Sequence, residues 1–110
     1  MIGVFIINGP DSDTVVLRAV GPSLTNPPFS IANALQNPTL SLFNAQGQKT
    51  KFNDDWRSDQ QAEIIATGLQ PSNDAESAIV TTLPPGNYTA IVEGVNGTTG
   101  IALVEIYGLN

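Results

Sequence analysis

The sequence predicts an all-β protein: an immunoglobulin-like antiparallel β-sandwich of about seven strands with one short helix. Three observations lead there. Short runs rich in Val, Ile, Thr and aromatic residues recur along the chain, the composition that suits a pleated, half-buried surface. Gly (10) and Pro (8) fall mostly between those runs, where they act as turn formers. The 110 residues are enough for one core and not for two, and sandwiches of this type run to about 100 residues.

The elements follow in order. Ile2 to Ile7 is an apolar strand. Gly9-Pro10-Asp11-Ser12-Asp13 is a polar turn into Thr14 to Val20. Gly21 to Pro38 holds Pro22, Pro27, Pro28 and Pro38, and so many missing N–H donors rule out a central strand. Thr39 to Phe43 alternates, and Asn44-Ala45-Gln46-Gly47 turns it into Lys49 to Phe52. Ser58 to Gly68 is the one helical stretch, with Ser58 or Asp59 as cap, Gly68 as terminator and Ala62, Ile65 and Leu69 expected inward. Ser77 to Leu83 and Tyr88 to Glu93 form a hairpin across Pro84-Pro85-Gly86-Asn87, where Pro85 and Gly86 suit a type II turn. After the turn Val95 to Gly100, the last strand is Ile101 to Tyr107.

Charge and composition narrow the function. Ten acids against four bases give −6 and a pI near 4.1. That surface repels phosphate backbones and anionic lipid, so nucleic-acid partners are excluded. No apolar stretch approaches the roughly 20 residues of a membrane-spanning helix, so no membrane insertion is expected. Met1 to Gly9 lacks the basic start and small-residue cleavage site of a signal peptide. Cysteine and histidine are both absent. Without histidine there is no Ser–His–Asp or Cys–His catalysis and no imidazole zinc site.

Three stretches together, VVLRAVGPSL (Val15 to Leu24), NDDW (Asn53 to Trp56) and the block Ala66 to Tyr107, resemble a β-sandwich repeat module of secreted and surface proteins of environmental bacteria. Pro38 to Tyr107 is also distantly similar to bacterial pre-peptidase C-terminal domains. The resemblance implies an extracellular or cell-surface location, a structural or adhesive role and no enzymatic activity. It transfers no catalytic residue.

The residues themselves offer few sites. Asp54, Asp55 and Asp59 form one oxygen-rich group, and Asp74 and Glu76 with Asn73 another. These are weak candidates for calcium, which takes six to eight oxygens, and neither group matches a recognised loop. No cofactor is therefore expected. Paired carboxylates can hydrolyse glycosides, but these acids sit on loops of a domain too small to wall a sugar cleft. The chain is not expected to be an enzyme. Asn87 and Asn96 each begin an Asn-X-Thr glycosylation triplet, although Asn96-Gly97 is equally a turn pair. Trp56, Tyr88 and Tyr107 could build a sugar-stacking platform, but filling the core is the commoner use of such rings.

The first strand raises the sharpest question. Ile2, Val4, Phe5, Ile6 and Ile7 would make both faces of one strand apolar, whereas a half-buried strand alternates. The last strand shows the same habit. These five residues are therefore the candidate subunit interface, with residues 1–9 an N-terminal strand donated to a neighbouring copy and residues 10–110 the sandwich. The expectation is a non-catalytic structural subunit that self-assembles head-to-tail, by strand addition, into a filament or pilus-like surface fibre. The alternative is an accessory or carbohydrate-binding module of a larger secreted protein. Pairing of residues 2–7 within their own sandwich is the competing arrangement.

Overall fold

Alternation along each run decides which side chains turn inward. In the computed structural model, which describes residues 1–109, the runs become seven strands: β1 (Ile2–Ile7), β2 (Asp13–Val20), β3 (Pro38–Phe43), β4 (Lys49–Asn53), β5 (Ser77–Leu83), β6 (Gly86–Gly94) and β7 (Leu103–Gly108). They form a four-stranded sheet, β1-β6-β3-β4, and a three-stranded sheet, β5-β2-β7. Every strand pair is antiparallel. The chain is an all-β sandwich.

One continuous core lies between the sheets. Ile7, Leu40, Leu42, Tyr88, Ala90 and Val92 come from the four-stranded side, and Val15, Leu17, Ala19, Ile79 and Leu83 from the three-stranded side. Each large apolar side chain removed from water contributes roughly 1.5–3 kcal/mol. The segment between β2 and β3 covers the outer surface of the three-stranded sheet at one end, where Leu24, Ile31 and Ala34 pack on Val20 and Leu103. Gly21 makes that cover possible: a Cβ there would lie 2.0 Å from the Leu35 carbonyl oxygen.

A second cover lies over β5. Helix α1 (Gln61–Thr67) follows a 3-10 turn over Trp56–Ser58. It packs Ile64 against Trp56, Ala78 and Val80. The inward residue is Ile64, not the expected Ala62 and Ile65, both of which are exposed. Ser58 does not cap the helix, because its hydroxyl donates to the Asp55 carbonyl at 2.7 Å. Gln60 stands at the N-cap instead, while Gly68 does end the helix in the left-handed region at φ 73.

Two expectations at the turns also change. The expected hairpin does not form: β5 pairs with β2 in the three-stranded sheet and β6 with β1 and β3 in the four-stranded one. Pro84-Pro85 therefore carries the chain between sheets, and Gly86 opens β6 at φ 156, far from the φ near +80° of a type II turn. Ile101 does not begin the last strand. It makes an isolated parallel bridge to Ala34, and β7 starts two residues later. No helix among the described residues is long and apolar enough to cross a membrane.

Candidate functional site

β1 lies at the edge of the four-stranded sheet and pairs with β6 of its own chain, from Ile2 opposite Ile91 to Ile7 opposite Gly86. Just before it, Met1 and Val92 exchange both backbone hydrogen bonds, at 3.0 and 2.8 Å. Antiparallel ladders alternate, so Gly3, Phe5 and Ile7 also direct their N–H and C=O groups at β6. Those of Ile2, Val4 and Ile6 then point to the open edge.

The five candidate interface residues divide by face. Ile7 is buried, and Phe5 stacks on Tyr88 with ring centroids 5.5 Å apart. Ile2, Val4 and Ile6 point outward and are 64%, 72% and 59% exposed. Gly3 lets β1 lie close to β7, since a Cβ there would sit 3.0 Å from Val104 Cγ1. The outward row continues across the sheet, from Ile2 to Ile91, Ser41 and Phe52 in register. Beside it, the Lys49 ammonium lies over the rings of Phe43 and Phe52.

β7, which also carries large apolar side chains on both faces, has a different fate. Ala102, Val104 and Ile106 point into the core. Leu103 is covered by the segment between β2 and β3, and Tyr107 joins a polar cluster with Arg18. Only β1 of the two leaves its second face in water.

The calcium candidates are scattered. Asp74 pairs with Arg57 at 2.7 Å, and the guanidinium lies 4.3 Å from the centre of the Trp56 ring. Glu76 is fully buried and already surrounded by donors. Its Oε2 accepts from the amides of Gly21 and Ser23, both at 2.9 Å, and its Oε1 from the Ser23 hydroxyl at 2.8 Å and the Asn73 amide at 3.3 Å. Burial, then the charge of Asp55, raises the Asp54 carboxyl above its usual pKa of 3.8. Asp59 stands exposed just past the 3-10 turn. Among the described residues, no three acidic side chains come together around one point that could hold a metal.

Sequence reasoning passed over one cluster. On the outer side of the three-stranded sheet, Arg18 Nε donates to Glu105 Oε1 at 2.9 Å and Nη2 donates to the same oxygen. Nη1 reaches the Leu69 carbonyl at 3.2 Å, and the Tyr107 hydroxyl donates to Glu105 Oε2 at 3.0 Å. The signal was one arginine in VVLRAV and one glutamate in ALVEIY, single charges of opposite sign in otherwise apolar strands. The cluster ties β2 to β7 and to the end of the helical cover.

The aromatic platform does not form. Trp56 and Tyr88 are buried in separate core clusters, and Tyr107 lies against Arg18 with the guanidinium 5.2 Å from its ring centre. Asn87 and Asn96 are both exposed. Asn96 takes φ 56, ψ 31, and Gly97 φ 75, the positive pair of a type I′ turn. Comparison with family models, with curated proteins and with solved structures finds no match to this chain.

Proposed function

We infer that the chain is a non-catalytic structural module of an extracellular or cell-surface protein, and that it assembles with copies of itself by strand addition through residues 2–7. The observation that carries the self-association is the uncovered face of Ile2, Val4 and Ile6 on a strand that is hydrogen-bonded along one side only. Donation rests on β1 being a terminal edge strand held to the sheet by β6 alone. Large apolar side chains grouped on a sheet edge mark contact sites or aggregation hazards. The resemblance to modules of secreted bacterial proteins supports the location.

Donation uses pairing that already exists. The same β1–β6 register can form between chains if the segment Asn8 to Ser12 swings open. Gly9, at φ 87 with open space around it, is a ready hinge. Phe5 would then stack on Tyr88 of a neighbour and Ile7 would enter the neighbour's core. Such contacts are heterologous and propagate head-to-tail unless they close. Within one chain the segment stays at high effective concentration, so donation is favoured where chains are crowded.

The experiment is the size distribution of the full chain against a chain lacking residues 1–8, by light scattering and negative-stain microscopy, with circular dichroism to check folding. The full chain is expected to give elongated particles that increase with concentration, and the shortened chain none. A shortened chain that assembles like the parent, or a parent that stays monomeric at every concentration, overturns the reading.

A further inference from the structure

We propose that the open edge of β1 pairs antiparallel with the same edge of a second copy, about a two-fold axis through Val4. This rests on the reading that the chain associates with copies of itself, but not on strand donation. The outer edge is open whichever β6 the strand lies on.

The sandwich has four edge strands, and three of them carry devices that discourage further pairing. Along β5, the Gln60 side-chain amide accepts from the Val80 N–H at 3.0 Å and donates to the Val80 carbonyl at 2.8 Å. Asn53 Oδ1 takes the Ala78 N–H at 3.0 Å. These side chains occupy the ladder positions an incoming strand would need. β4 bears Lys49 and Lys51, and its register with β3 breaks between Leu42 and Phe43. Lysines and bulges on an edge oppose addition. β7 carries Glu105, a charged side chain on an edge strand. β1 has no charge, no proline and no register break.

The unprotected edge is complementary to itself. With Val4 on the axis, Ile2 lies opposite Ile6 of the second copy and Ile6 opposite its Ile2. At each of these positions the outward N–H and C=O groups can exchange two hydrogen bonds. The side chains brought together are β-branched and apolar on one face, the pairs that stabilise a sheet. A head-to-tail join to β4 would instead set an uncharged strand beside two lysines, with no acid to answer them. The two-fold contact closes, and it merges two four-stranded sheets into one. A single strand edge buries far less than the roughly 1,600 Å² of a standard interface, so the dimer is weak. Each copy carries −6, so salt that screens the repulsion strengthens it.

Sedimentation velocity on the full chain should show a dimer fraction that grows with concentration and with salt. Val4→Pro removes the N–H at the centre of the open edge and leaves the β6 ladder alone, since that N–H does not face β6. It is expected to abolish the dimer while the amides of Gly3 and Phe5 keep their exchange protection. The second arm uses the absence of native cysteine. Opposed Cα atoms about 5.5 Å apart lie within disulfide reach, so oxidised Val4→Cys should cross-link to itself. Ile2→Cys and Ile6→Cys should each fail alone and cross-link when mixed. If the parent associates while Val4→Cys stays uncross-linked, or if Val4→Pro associates like the parent, the two-fold pairing is wrong and self-assembly uses another surface. A parent that is monomeric under all conditions overturns both readings.

Discussion

Replacing Glu76 with glutamine should destabilise the fold by about 2–3 kcal/mol even though the side chain keeps its shape. The carboxylate is buried among donors only: two backbone amides on Oε2, and a hydroxyl with a longer amide on Oε1. Glutamine must turn one nitrogen toward this set. Its least costly orientation keeps the oxygen on the Gly21 and Ser23 amides and points the NH2 at the Ser23 hydroxyl, which can accept while donating to Ser72 Oγ at 2.6 Å. The two retained bonds lose their charge assistance, at roughly 1 kcal/mol each, and the Asn73 N–H is left facing a donor for about 1 kcal/mol more. Relief of the buried charge returns part of that sum. At about 4–8 °C per kcal/mol for a domain near this size, Tm should fall by about 10–20 °C. Urea and thermal unfolding would measure it, with amide exchange at Gly21 and Ser23 as the local reporter. Glu76→Ala strands those amides and opens a cavity, so a loss of about 5 kcal/mol or more is expected. A glutamine variant within about 0.5 kcal/mol of the parent would refute the idea that this carboxylate holds the start of the segment after β2.

Ile64→Ala should cost about 2–5 kcal/mol in urea unfolding because the side chain is fully buried. Ile65→Ala, at 45% exposure, should stay within about 1 kcal/mol, and equal losses at the two would contradict the observed helix face. Gly21→Ala should unfold the cover after β2, since its Cβ would meet the Leu35 backbone. Amide exchange at Leu24 and Leu35, which donate to Gly21 and Ile101, and thermal melting would report it, and an unchanged melt would count against the close approach. Asp54→Asn should stabilise the chain slightly near neutral pH. The folded pKa of Asp54 is raised, so the folded state holds the proton more tightly, and stability is lost as pH rises from about 3.8 through the folded value. Asparagine removes that loss, so its advantage should vanish below about pH 3. An advantage that persists in acid would assign the effect to something other than ionisation.

The strands were legible because each needs only its own alternation and the turn residues beside it. The face of α1 was not. Periodicity over Ser58 to Gly68 is satisfied by either isoleucine, and the choice is made by contacts outside the helix. Trp56 and Ala78 receive Ile64, and the Gln60 amide is tied to Val80 across the β5 edge, which sets the rotation of the first turn. Glu76 illustrates the same limit for the sites. Beside Asn73 and Asp74 it reads as one more oxygen ligand in an acidic loop. Its partners at Gly21 and Ser23 lie more than fifty positions earlier, and they turn a candidate ligand into a saturated anchor.

β1 and β7 make the argument most sharply, because their local patterns are nearly the same and their surroundings are not. Each carries large apolar side chains on both faces, and within the strands only Glu105 of β7 hints at which will find a second cover. β7 finds one because Arg18 and the segment between β2 and β3, remote in sequence, fold over its outer side. β1 pairs with β6 alone and lies beyond that cover, at the opposite sheet's edge. Its inward residues are accounted for by Tyr88 and the core. Its outward ones stay more than half exposed, while together they offer an apolar row and a set of outward backbone groups. A soluble monomer under selection would be expected to break such an edge with one lysine or proline, as β4 does with Lys49 and Lys51. Val4 is the position where that single change would do most, and it is the residue that the proposed two-fold pairing sets on its axis.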